Sequence, residues 1–202
     1  MSFAGESSWR ASESMPQALM TALYLRDAAG LDVSVATIVP PLDPGVELDA
    51  RLALHATEQA ARDWSEWWEA LLDPHPEISG IPLIVLDPIL ATNLGGDLRR
   101  LIEAGYDDAQ TWLSERSRTY AQERTHGPRS DRVLITHVTR AVEQRLGRRA
   151  APFRLRISVL PVEGVWGRRV RPGHALVSRR LRADGEAFRA FIEPVIEELA
   201  EG

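Results

Sequence analysis

Between residues 153 and 199 the spacing of apolar residues changes period, and this change does most to limit the folds open to the chain. Phe153, Leu155, Ile157 and Val159 alternate with Arg154, Arg156 and Ser158, the two-residue repeat of a strand with one buried face. HALVSRRLR, residues 174–182, alternates in a similar way. Further on, Phe188, Phe191, Ile192, Val195, Ile196 and Leu199 recur at three and four, which places them on one face of a helix. Asp184 stands at its N-cap, and Pro194 inside the stripe predicts a kink or two short helices.

The same contrast recurs upstream. PQALMTALYLRDAAG, 16–30, has Pro at its first turn and Gly30 as its stop, so it predicts a helix. DVSVATIV, 32–39, alternates as a strand, and IPLIVL, 81–86, is a short apolar run that suits a buried strand. Between them a long helix is expected from about Glu47 to Leu72, with Leu52, Ala56, Ala60, Trp64, Trp67, Trp68 and Leu71 as its apolar stripe. A second helical region spans roughly 97–124, with a break expected near Gly105. HGPRS, 126–130, interrupts it, and Ser130 is placed to cap a helix over 131–146. These elements predict an α/β or α+β protein: a small mixed sheet of about four strands covered by five or so helices, with a C-terminal β-hairpin followed by a helix. Residues 1–14 are small and polar and predict a flexible N-terminus. Residues 15–202 predict a single domain, with a subdivision expected near 126–130.

Composition removes several chemistries. The chain of 202 residues has no cysteine, so disulfides, thiolate nucleophiles and Cys-ligated metal sites are excluded. All 24 of its basic residues are arginine, which fits a GC-rich bacterial genome and removes Schiff-base and P-loop lysine chemistry. No G-x-S-x-G, G-x-G-x-x-G or metal-ligand spacing occurs, so no cofactor or metal is expected. No apolar run approaches the roughly 18 residues of a membrane span, and the first residues lack the pattern of a secretory signal. A cytoplasmic location without membrane contact is therefore expected.

Charge is strongly segregated. Residues 1–100 hold 15 acids and 6 arginines, whereas 116–182 hold 17 arginines and 4 acids, a local balance of +13 within a chain of net −5. Guanidinium forks match phosphates and carboxylates at two points, so such a block suits an anionic ligand or an acidic protein surface. Arg154, Arg156, Arg180 and Arg182 are expected to decorate a late hairpin, and Arg168, Arg169 and Arg171 its loop, VWGRRVRPGHALVS. Trp166 offers a stacking ring, and His174, opening a strand beside Arg171, is the one histidine retained as a site candidate. The competing reading is a solvated sheet edge guarded by charge.

Other features have plainer readings. Trp64, Trp67 and Trp68 follow the core stripe and are expected to pack against the sheet. His137, among Val133, Leu134, Val138 and Ala141, is expected at the edge of a core. A helix over 131–146 followed by an arginine-tipped ribbon has the order of a winged-helix DNA-binding regulator, although the overall acidity argues against nucleic acid as a partner.

One stretch carries a family likeness. PLIVLDPILATNLGGDLRRLIEAGYDDAQTWL, 82–113, resembles the C-terminal half of oligoadenylate-synthetase-like nucleotidyltransferases through Leu86, Asp87, Pro88, Asn93, Leu94, Gly95, Gly96, Ala109, Trp112 and Leu113. The family's catalytic palm, with its G-S motif and metal-binding aspartates, has no counterpart here. The resemblance therefore implies a non-catalytic or rearranged relative. Independently of it, Gly95 and Gly96 form a helix entry whose free N–H groups suit an anion.

Together these features predict a non-catalytic binding or interaction module that recognises a nucleotide, a phosphate or an acidic protein surface, alone or as part of a homo-oligomer or complex. The alternatives are a phosphate-handling enzyme and a DNA-binding regulator.

Overall fold

The computed structural model describes residues 9–33, 39–72, 95–126 and 129–202. The strands expected at 32–39 and 81–86 fall largely or wholly outside them. The chain divides into two compact units, Met1–Met15 with Arg124–Gly202, and Pro16–Glu123.

Among the described residues of the unit built on 16–123, the regular elements are helices. Its first helix, α1, covers Gln17–Ala29 and ends where Gly30 turns left-handed at φ 65° and donates its N–H to Arg26 and Asp27 carbonyls. The long helix expected over 47–72 is two: α2, Ala50–Ala53, and α3, Glu58–Leu72. Two caps divide it. The Asp49 side chain accepts from the Arg51 N–H at 2.8 Å, and the Thr57 hydroxyl accepts from the Ala60 N–H at 3.1 Å. The stripe weakens at the same place, since Leu52 is fully buried while Ala56 is only half-buried.

From α3, Trp64, Trp67 and Trp68 are buried as core residues. Trp64 and Trp68 stack with centroids 5.4 Å apart, and the Trp64 indole donates to the Ala22 carbonyl at 2.8 Å. The buried Arg26 guanidinium lies over Trp64 and donates to the carbonyls of Val39 and Pro40 at 2.7 and 2.9 Å. Helix α4, Gly96–His126, runs unbroken through Gly105. A Cβ at Gly105 would stand 2.6 Å from Leu25 and 3.1 Å from Leu52, so this glycine permits close packing rather than a break.

The other unit holds the mixed sheet of the α/β fold. Strand β1, Arg10–Ser14, comes from the segment expected to be loose. Helix α5, Arg129–Leu146, begins one residue before the expected cap at Ser130, and β2 follows at Arg154–Leu160. Then come β3, Gly167–Arg171, β4, His174–Ser178, α6, Arg179–Ala183, and α7, Gly185–Glu201. The sheet order is β1-β2-β4-β3; β1, β2 and β4 are parallel, and β3 runs antiparallel to β4.

Three expectations change here. The hairpin is β3–β4, so GRRVR is itself a strand, while β2 and β4 pair in parallel. The strand expected over 174–182 stops at Ser178, whose hydroxyl accepts the Leu181 N–H at 3.0 Å and starts α6. Arg180 and Arg182 therefore sit on a helix. Helix α7 continues past Pro194, where Pro194 and Ala190 both lie on the exposed side, so water can satisfy the carbonyl the ring leaves unpaired.

One sheet face carries Leu155, Ile157, Val159, Ala175 and Val177, all buried. Gly167 on this face lets the Phe191 ring of α7 and Leu181 approach to where a Cβ would be 2.8 Å away. Helix α5 packs along α7, joined at its end by ion pairs from Arg145 to Glu193 and Glu197. His137 is exposed rather than at the edge of this core. Since β4 is an inner strand, the β3–β4 ribbon is built into the sheet and is not a projecting wing.

Candidate functional site

The second sheet face differs from the first along its length. Toward one end Ser158, Leu160, Leu176 and Ser178 are buried; toward the other Arg10, Ser12, Arg154 and Arg156 are exposed. Strand register places these polar residues in rows. Arg10 stands opposite Arg154, while Ser12, Arg156, His174 and Arg171 form one row across all four strands. The two rows bound a cavity of about 280 Å³ lined by Arg10, Ser12, Arg154, Leu155, Arg156, Arg171, Gly173 and His174.

Two local devices build this cavity. A register shift between Arg169 and Arg171 leaves Val170 as the extra residue, so Arg171 opposes His174 and turns to the same face as Arg156. Without that bulge, alternation would send Arg171 to the opposite face. Gly173, in the tight turn before β4, has φ 76°, and a Cβ there would be 2.5 Å from the Arg154 carbonyl oxygen. Its own carbonyl accepts the Arg156 N–H at 2.7 Å, tying the hairpin turn to the strand that carries two of the arginines.

His174 is 4% exposed and forms part of the wall. Its Nε2 lies 3.0 Å from the hydroxyl oxygen of Ser158, a buried residue on β2, so the ring orientation is held from beneath. Among the described residues lining the cavity none is acidic. Opposed like charges on neighbouring strands cost stability, and Arg10 facing Arg154 with Arg156 two residues on is such an arrangement.

Of the residues expected from sequence, Arg154, Arg156, Arg171 and His174 come together here. The others do not line the cavity. Arg169 points to the opposite face and pairs with Glu198 of α7. Arg168, opposite Leu176, shares the cavity face but is not part of its lining. Trp166 is half-buried ahead of β3, with its backbone N–H donated to the Ser178 hydroxyl at 3.0 Å. Arg180 is exposed on α6. Gly95 and Gly96 belong to the other unit, where a Cβ on Gly95 would be 1.7 Å from an Asp63 carboxylate oxygen, so an acid already occupies that side of the helix entry.

Arg10 and Ser12 were not expected. Their only sequence signal is the short alternation WRASES, too brief to identify a strand whose partner lies at the far end of the chain.

No family model, curated protein or solved structure matches this chain. Of the ten residues that carry the nucleotidyltransferase likeness, Leu86 to Leu94 lie outside the described residues. Ala109 and Leu113 are buried on α4, where they pack as ordinary helix-core residues.

Proposed function

We propose that this protein is a non-catalytic binding module that takes an anionic ligand, a nucleotide or another phosphate compound, into the arginine cavity of its sheet. The carrying observation is the convergence of four guanidiniums from three strands on one concavity whose described lining contains no acid. Each guanidinium offers a fork of donors to an oxyanion, and a ligand relieves the repulsion between neighbouring arginines. A concave site of this size favours a small ligand over an acidic protein surface.

Thermal unfolding with nucleotides, phosphorylated metabolites and short nucleic acids, at low and moderate salt, tests this reading. A ligand at a hundred times its Kd adds about 2.7 kcal/mol. No shift with any anion would overturn it.

A second reading, a phosphate-handling enzyme, is favoured by one observation: His174 lines the cavity with its ring held by Ser158. A histidine fixed beside oxyanion-binding arginines has the placement of a general base. Phosphate release from nucleotide and sugar-phosphate substrates that disappears in His174→Ala would establish it, and its absence leaves the binding module.

A further inference from the structure

Resting on that anion-site reading, we propose that the ligand is a compact polyphosphate, a molecule with two or more closely spaced phosphoryl groups and no aromatic base to be held. Three features of the cavity carry this.

The first is charge density. Arg10, Arg154, Arg156 and Arg171 bring four positive charges to about 280 Å³. A phosphoryl group carries about −1.5 to −2 at neutral pH, so two match the charge of Arg10, Arg154 and Arg156, whereas a carboxylate ligand would need about three groups in the same space.

The second is spacing. Neighbouring strands lie about 4.8 Å apart, and residues two apart on a strand about 6.7 Å. Arg10, Arg154 and Arg156 therefore form a small cluster in which adjacent forks grip separate phosphoryl groups of one short ligand, while Arg171 stands two strands from Arg156, beyond His174.

The third is what the described lining lacks. Apart from Leu155 and Gly173 it consists of arginine, serine and histidine, with no Trp, Tyr or Phe. Trp166, the ring that could have stacked on a base, is not among these residues. Recognition of a nucleobase without sequence-specific contacts relies on such aromatic platforms. The cavity, at about 280 Å³, also falls just below the range of sites that enclose a whole drug-sized ligand.

Isothermal titration of the full chain with orthophosphate, pyrophosphate, tripolyphosphate, citrate, ATP and a short single-stranded oligonucleotide tests the assignment. Tripolyphosphate or pyrophosphate is expected to bind at least about ten-fold more tightly than orthophosphate, with ATP no tighter than tripolyphosphate. Arg154→Gln with Arg156→Gln should weaken tripolyphosphate at least about ten-fold. Arg154→Lys with Arg156→Lys, which keeps the charge and loses the fork, should fall between and covers the case in which the glutamine variant does not fold. Arg169→Gln, on the other face, should leave affinity unchanged.

ATP, citrate or the oligonucleotide binding about ten-fold more tightly than tripolyphosphate would overturn the polyphosphate assignment while leaving an anion site in place. Equal losses in the Arg169 variant and the cavity variants would overturn it in favour of a diffuse surface field. Failure of every anion to bind would instead overturn the underlying reading.

Discussion

Arg10 and Arg154 are register partners on adjacent parallel strands, drawn from opposite ends of the chain and facing the same side of the sheet. A pair of like charges in that position is a standing cost to the unliganded protein. The first prediction is that Arg154→Gln stabilises the ligand-free protein by about 0.2–1 kcal/mol at low salt. The gain should shrink as salt screens the repulsion. Urea titrations at two ionic strengths measure this, and a destabilised variant would mean that Arg154 has a structural partner instead.

Gly173 closes the hairpin against β2 in a left-handed conformation that leaves no room for a Cβ. Gly173→Ala should cost at least about 1 kcal/mol from backbone strain alone. The clash with the Arg154 carbonyl adds to it and shifts the strand that carries Arg154 and Arg156. Chemical denaturation together with anion titration should therefore show both stability and affinity reduced. Retained affinity would separate the turn from the cavity.

In the helical unit the sharpest test is Trp64. Trp64→Phe keeps most of the buried ring but leaves the Ala22 carbonyl without its indole donor. A loss of about 0.5–1.5 kcal/mol is expected for the one hydrogen bond, because the Ala22 carbonyl keeps its helical N–H donor within α1. Trp64→Ala should lose about 3–5 kcal/mol because it also opens a cavity. Equal losses from the two variants would mean that packing contributes little beyond the hydrogen bond.

Arg145 supplies the pH dependence. Its hydrogen bond to Glu193 holds that carboxyl below its ordinary value of 4.5, with Arg189 assisting. A lowered folded-state value means that the contribution is fully present above the unfolded value and is lost as pH falls through the folded one. The Tm difference between the natural protein and Arg145→Met should hold constant from about pH 7 to pH 5 and then narrow as the solution is acidified further. A gap that widens in acid would contradict the assignment.

Local signals were legible wherever a single residue decided the outcome nearby. Pro16 and Gly30 bound α1, and the alternation of Phe153 to Val159 marks β2 with Arg154 and Arg156 on its polar side. Trp64, Trp67 and Trp68 follow the helical stripe into the core. Competing local chemistry hid other features. RRLR at 179–182 continues the alternation of β4, yet the Ser178 hydroxyl captures the Leu181 N–H and turns it into helix. GRRVR lacks the apolar alternation of a strand because its pairing with β4 and a bulge set its direction. Two of the eight residues lining the cavity were hidden for a different reason. Arg10 and Ser12 reach it through parallel pairing with a strand far away in sequence, and such pairing leaves no mark on either segment alone.

The origin of β1 also sets an order of events during synthesis. Ser12 leaves the ribosome early, but Arg156 and His174, its neighbours in the row, appear only after all of 16–123 has been made. Chains grow at roughly 5–20 residues per second and domains generally fold as units, so the helical unit can close while β1 waits. The arginine cavity is thus among the last features to exist, and a chain released early would carry a folded helical unit without it.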